Sequence, residues 1–206
     1  RRAVDELRYI SDRYNVRNLC AADNVLDPRY FKSLLPELAV ADLGLSLEYE
    51  MRASLTRLQA EMLANCGVHA AQLGVESLST PVLKRMGKGI TAIENVQSLR
   101  WLAAAGVAVK WNLLYGFPGE ESQDYAAMAK LLPSLWHLPP PQAIGRVRAD
   151  RFSPLFDHPE QYGLANLRPD RAFRHVYPFS EEVCRRLAYY FDGDAAGGRD
   201  PLDYAR

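Results

Sequence analysis

Four points along this chain place polar side chains at or near the ends of apolar runs, where packing alone would put none. Asp23-Asn24 follows the run Arg17 to Ala22, Glu48 falls late in Leu43 to Glu50, Glu76 directly follows His69 to Val75, and Asn112 lies within Val107 to Leu114. Carboxylates accept hydrogen bonds and an amide both accepts and donates, so the set has the chemistry to hold one polar ligand if the runs converge. Gly74, Gly116 and Gly119 lie close by and let backbone approach a ligand. Taken singly, each carboxylate reads equally well as a helix cap or an arginine partner, and Lys88, in the turn MGKG, as a solvated cation.

The elements that must position these residues alternate. Ala3 to Tyr14 has Val4, Leu7 and Ile10 at helical spacing, and Arg17 to Ala22 reads as a strand. A helix is expected over Pro28 to Ala39, a strand over Leu43 to Glu50, and a helix capped by Ser54 and stopped by Gly67. Further strands are expected at His69 to Val75, Val107 to Leu114 and Ala143 to Arg148, with helices over Thr91 to Ala105 and Glu121 to Leu138 between them. The strands begin roughly 26 to 38 residues apart, the size of βα units with right-handed crossovers. A parallel sheet or partial barrel follows, with the four polar points on the face formed by the strands' carboxyl ends. After Arg151 the periodicity dissolves into a Pro-, Arg- and aromatic-rich stretch, a short helix is expected over Ser180 to Phe191, and residues 192–206 read as a tail or linker.

Composition narrows the function classes. The chain has 206 residues, 48% hydrophobic, enough for one full core, and its 25 basic and 25 acidic residues give no net field toward nucleic acid or an anionic membrane. No apolar run approaches the ~20 residues of a membrane span and no secretory signal is evident, so the cytoplasm is the default compartment. Cys20, Cys66 and Cys184 are widely spaced and odd in number, as expected of buried small hydrophobes rather than of disulfides or a zinc clip. His137, His158 and His175 lack metal-ligand spacing, so no metal site is expected. Neither a nucleophile elbow nor a phosphate-binding GxxxxGK[ST] loop is present.

Taken together, GVESLSTPVLKRMGKG and WNLLYGFPGE resemble the middle and late βα units of radical S-adenosylmethionine (SAM) enzymes. With DNVLD before them, and VRADRFSPLFDHPEQYGLANLRP and FRHVYPF after, the chain resembles the cobalamin-dependent radical SAM proteins that C-methylate ribosomally made peptides (RiPPs). The resemblance implies a partial (β/α)6 radical SAM barrel, an α/β fold with SAM at the carboxyl ends of its strands. It places Asp23 and Asn24 near the SAM amino group, Glu48 on the ribose hydroxyls, and Glu76 and Asn112 in the wall of the SAM and substrate cavity. Lys88 would pair with the SAM carboxylate, and Gly116, Phe117 and Pro118 would pack around the adenine. The implied chemistry is hydrogen abstraction from a precursor peptide by a deoxyadenosyl radical, followed by methyl transfer from methylcobalamin, with an external electron donor as a further partner.

One departure qualifies that inference. The family's CxxxCxxC loop, whose three thiolates hold a four-iron four-sulfur cluster, has no counterpart among these three cysteines. Because the chain opens Arg1-Arg2 directly into a helix, it reads as a fragment truncated at the first barrel strand, whose cluster and cobalamin ligands belong to an intact parent. The expected division is a barrel over 1–150, a C-terminal extension covering it over 151–191, and the tail. Two alternatives stand beside the methyltransferase reading: a non-catalytic remnant with at most weak SAM or peptide binding, and a radical SAM enzyme of another reaction type.

Overall fold

Alternating burial along the strands builds this fold. In the computed structural model, which describes residues 2–23 and 25–195, Leu47, Tyr49 and Met51 are buried while Ser46, Glu48 and Glu50 between them are not. A strand with this period has one greasy and one polar face. Chain order runs α1 (Arg2–Tyr14), β1 (Asn18–Cys20), α2 (Leu34–Ala41), β2 (Ser46–Met51), α3 (Arg57–Asn65), β3 (Val68–Glu76), α4 (Thr80–Arg85), α5 (Ala92–Ala104), β4 (Ala108–Tyr115), α6 (Ser122–Leu131) and β5 (Ala143–Arg146). The five strands pair in parallel in the order β1-β2-β3-β4-β5. A parallel sheet whose spatial order follows chain order winds in one direction only, as a barrel does. The expected partial (β/α) barrel is therefore present as a five-stranded parallel half-barrel.

The greasy face of the sheet meets the helices in one core. Leu47, Leu73, Val75 and Trp111 from the strands pack with Leu63, Leu99, Leu102 and Met128 from the helices. Leu63, Leu73, Leu99 and Leu102 are each at most 2% exposed, a burial that stabilises by about 1.5–3 kcal/mol per side chain. Reciprocal caps set the helix starts. Thr56 Oγ1 accepts from Gln59 N while Gln59 Oε1 accepts from Thr56 N, and Thr91 pairs with Glu94 in the same way. The start of α3 thus falls two residues beyond the expected Ser54 cap, because Thr56 has a Gln three residues on and Ser54 does not.

Beyond β5 lies a second sheet. It follows as β6 (Ala149–Asp150), α7 (Pro154–Asp157), β7 (Leu164–Pro169), α8 (Arg171–Val176), α9 (Glu181–Leu187) and β8 (Tyr190–Ala195), with antiparallel order β6-β8-β7. Phe191 and Ala188, with Leu155, Phe156, Leu167 and Phe173, form its small core. Two expectations are corrected. The helix expected to reach Phe191 ends at Leu187, and Asp192 to Ala195, expected as tail, belong to β8; residues 196–206 lie outside the described residues. The helix end is fixed by Arg151, whose guanidinium donates to the carbonyls of Ala188 (2.7 Å) and Arg185 (2.6 Å). Among the described residues, no helix is long and apolar enough to cross a membrane.

Candidate functional site

Every second residue of the half-barrel strands faces its concave side, and that face is charged. Alternation puts Glu48 and Glu50 of β2, Gln72, Gly74 and Glu76 of β3, and Lys110, Asn112 and Leu114 of β4 on the side away from the helices. Parallel sheets are ordinarily covered on both faces by apolar side chains. Here the uncovered side carries ion pairs: Lys110 Nζ lies 2.6 Å from Glu48 Oε1, and Lys88 Nζ lies 2.7 Å from Glu76 Oε2. All four side chains are between 25% and 38% exposed, so a ligand can reach them without unfolding anything.

Two cavities open at the carboxyl ends. One, of about 670 Å3, is lined by Glu50, Arg52, Ser54, Gln72, Gly74, Glu76, Lys88 and Asn112, among others. The other, of about 810 Å3, is bounded by Glu76, Asn112, Leu114 and Phe117 on the barrel side and by Arg148, Asp150, Tyr162 and Asp192 on the second-sheet side. Glu76, Asn112 and Leu114 belong to both linings and form the wall between them. Lys88 is carried on a loop between Gly87 (φ +67°) and Gly89 (φ +68°), left-handed positions that bend the chain back over Gly74. A methyl group on Gly74 would sit 3.5 Å from Lys88 Nζ, so glycine leaves the first cavity open beside the cation.

Glu76 has an unusual backbone. Its φ is +59°, and Ser77 N donates across it to Val75 O at 2.7 Å, which closes a γ-turn of the rarer, positive-φ kind. The β3–β4 register is irregular at the same point, because Leu73 pairs with Trp111 but Glu76 with Leu113, three residues of one strand against two of the other. Such a bulge re-aims a side chain. A non-glycine residue held there costs on the order of 1–3 kcal/mol, so the surroundings must enforce it.

The turn after β4 is held by a buried acid. Glu120, 9% exposed, accepts through Oε2 from Gly116 N at 2.7 Å and from the Tyr125 hydroxyl at 2.5 Å. Burial pushes its carboxyl upward from the ordinary range, against the opposing pull of the hydrogen bonds from Tyr125, Gly116 and Phe117. A neighbouring network ties α4 to α6. Asp124 accepts from Ser79 Oγ at 2.9 Å, Arg85 Nη1 at 3.1 Å and Glu121 N at 3.1 Å.

The site residues expected from sequence distribute as follows. Glu76, Lys88 and Asn112 share the first cavity. Glu48 is engaged by Lys110 and lies one inward-facing position deeper than Glu50, which does line that cavity. Asp23 is exposed beyond β1, close enough to Tyr49 that its charge adds to burial in raising that phenol; Asn24 lies outside the described residues. Phe117 lines the second cavity and meets Tyr162 edge to face at 5.9 Å, while Gly116 and Pro118 border a third cavity of about 360 Å3 with Arg146 and Arg168. Sequence reasoning passed over Glu50, Gln72 and Lys110, although the period-2 pattern of SLEYEM already puts Glu50 on the same face as Glu48.

The three thiols do not meet. Cys20 is exposed on the edge strand, Cys66 is buried with its thiol 2.9 Å from Leu35 O, and Cys184 lies in α9 of the second layer. Among the described residues no group of three or more His, Cys, Asp or Glu side chains is placed to hold a metal ion. This donor set does not fit a four-iron four-sulfur cluster.

A singly wound parallel half-barrel with a polar concave face and ligand-sized cavities at its carboxyl ends defines a partial-barrel fold rather than a doubly wound dinucleotide-binding one. The radical SAM superfamily model matches residues 1–132, and the chain belongs to that superfamily. It is 21% identical over 137 residues to an uncharacterized methyltransferase of Pyrococcus horikoshii, covering 65% of this chain and 30% of that one. It is 27% identical over 133 residues to the bacteriochlorophyllide d C-12(1)-methyltransferase of Chlorobaculum tepidum, covering 60% and 28%. The chain therefore spans less than a third of the length of these relatives. In fold it is similar to the radical SAM methyltransferase TsrM of Kitasatospora setae, solved with cobalamin and a four-iron four-sulfur cluster, with TM-score 0.58 and 19% identity over 71% of this chain and 28% of TsrM.

Proposed function

We propose that this chain forms the SAM-binding half-barrel of a cobalamin-dependent radical SAM methyltransferase that acts on a ribosomally made precursor peptide. The observation that carries the SAM reading is the 670 Å3 cavity at the strands' carboxyl ends, which sets a cation, Lys88, opposite two acids and two amides: Glu50, Glu76, Gln72 and Asn112. Its chemistry suits an amino acid joined to a nucleoside: a cation for a carboxylate, acceptors for an ammonium and for ribose hydroxyls. In this reading Lys88 holds the SAM carboxylate, Glu76 or Asn112 the ammonium, and Glu50 the ribose, with Glu48 behind it fixing Lys110. The second cavity, larger and bounded by both charged and apolar side chains, suits a peptide segment presented across the Glu76 wall.

Support for methyl transfer is the methyltransferase names of the relatives and the shared fold with TsrM, a second structure of which holds tryptophan and a SAM analogue. The described thiols lie apart and do not fit a cluster, so no electron or radical step is assigned to these residues; their work is to bind and orient. The same misfit of the thiols favours a second reading, a chain that binds SAM or peptide without catalysing anything. Photoaffinity labelling with an azido derivative of SAM, followed by peptide mapping, tests the shared core of both readings. Labelled peptides are expected from 46–54, 72–90 and 112–118, in competition with SAM. Label confined to the second sheet, or label that SAM does not displace, overturns the SAM reading.

A further inference from the structure

Among the described residues Asn95 is the best-buried amide, and it lines none of the three cavities above. It sits in α5 with 0% exposure, on the helix side of the sheet, where an apolar residue would pack more cheaply. Its Nδ2 donates at 2.9 Å to Val75 O and at 2.8 Å to Ser77 O, the two carbonyls that flank Glu76. Both carbonyls therefore point toward the helix, and Val75 O is also the acceptor that closes the γ-turn at Glu76, so the amide holds the turn itself and the residue that follows it. Ser77 is itself fully buried, so neither carbonyl has water as a substitute partner.

We propose that Asn95 is a positioning residue: by clamping Val75 O and Ser77 O it enforces the left-handed backbone at Glu76, and so aims that carboxylate at Lys88 and into the wall between the two cavities. The inference deepens the SAM reading above, in which Glu76 and Lys88 are ligand groups, but its geometric part stands without any ligand. Asn95 acts from behind the sheet, through the backbone, on a side chain of the concave face. Its unpaired Oδ1, buried and without a hydrogen-bond partner, fits a residue retained for its donor group alone.

A zero-length carbodiimide coupling of the folded chain tests this, because it joins a carboxylate to an amine only where the two are in contact. The wild type should yield two amide links, Glu76 to Lys88 and Glu48 to Lys110, the pairs 2.7 Å and 2.6 Å apart. In Asn95→Leu the Glu76 link should fall about tenfold or more, the scale on which a small misplacement reduces a reaction between positioned groups, while the Glu48 link persists as internal control. Equal yields of both links in the variant and the wild type overturn the proposal. Should Asn95→Leu lose both links, the fold itself has failed, and Asn95→Ser, smaller and still polar, decides by the same criterion. SAM affinity adds a second arm: Asn95→Leu should weaken binding in the wild-type background and add nothing in Glu76→Gln. A wild type that binds no SAM strikes at the SAM reading alone and leaves the crosslinking result to judge Asn95.

Discussion

Removing the carboxylate of Asp124 should loosen two helix starts together. Asp124 is 7% exposed and takes three hydrogen bonds, from Ser79 Oγ, Arg85 Nη1 and Glu121 N. The bond from Glu121 N caps the start of α6 and contributes about 1 kcal/mol. Ser79 is 5% exposed, so its hydroxyl loses a charged acceptor that water does not replace, a further ~1 kcal/mol. Arg85 retains 32% of its side-chain exposure and rehydrates in part, which holds its share to about 1.5 kcal/mol. Asp124→Ala should therefore cost about 3–4 kcal/mol, or a fall in Tm of roughly 7–15 °C for a chain of this size. Asp124→Asn, which keeps the shape and one acceptor oxygen, should lose about half as much. Urea unfolding followed by circular dichroism, with the slope checked for constancy, gives the number. A loss under ~1 kcal/mol for Asp124→Ala would mean that the α4–α6 tie is decorative and that the turn at 116–119, whose Gly119 lies against Arg85, is held by other means.

Further outcomes follow from individual residues. Gly67→Ala should destabilise by about 2 kcal/mol or more, because φ there is +84° and the added methyl would lie 2.5 Å from Leu45 O; chemical denaturation checks it. Glu120 has a raised folded-state pKa, so it favours the folded chain while neutral, and that contribution is lost as pH rises through the raised value. Glu120→Gln should accordingly flatten the decline in stability between the ordinary carboxylate range and neutrality, read from melts across pH. Asp194 moves the other way: Arg168 and Asn166 hold its carboxyl low, so the β7–β8 contact it makes is present above the ordinary carboxylate range and weakens as pH falls below it. Protection of the β7 amides, taken as exchange relative to the intrinsic rate at each pH, should fall on acidification in the wild type and not in Asp194→Asn.

What the sequence disclosed, and what it withheld, divides along physical lines. The barrel half is legible because each strand has either a period-2 pattern or a short apolar run, and α3, α5 and α6 each end near a glycine or a proline. Glu76 is recognisable as a charge at a strand end, yet its γ-turn is not, since the clamp comes from Asn95, on a different element, and an amide inside a helix reads as surface. Lys110 reads as an exposed lysine of a strand until β2 and β4 are brought side by side across β3, which is what sets it against Glu48. The second sheet was hidden for another reason. Its β7 carries Asn166 at φ +50° and ends in Pro169, and Tyr190-Phe191 of β8 give way to Asp192-Gly193-Asp194, so neither reads as a strand along its length; cross-strand pairing of Arg168 and Asn166 with Asp194 and burial of Phe191 supply the pairing energy instead.

The central claim is that Lys88 and the acids facing it form a SAM site, and calorimetric titration of the chain with SAM, wild type against Lys88→Met, tests it most directly. Because Lys88 and Glu76 pair with each other at 2.7 Å and must part for the ligand, the account predicts a weak but saturable isotherm, with Kd on the order of 100 µM, weakened about tenfold or more by Lys88→Met as a charged hydrogen bond is lost. No saturable heat up to millimolar SAM, or equal affinity in Lys88→Met, would contradict it.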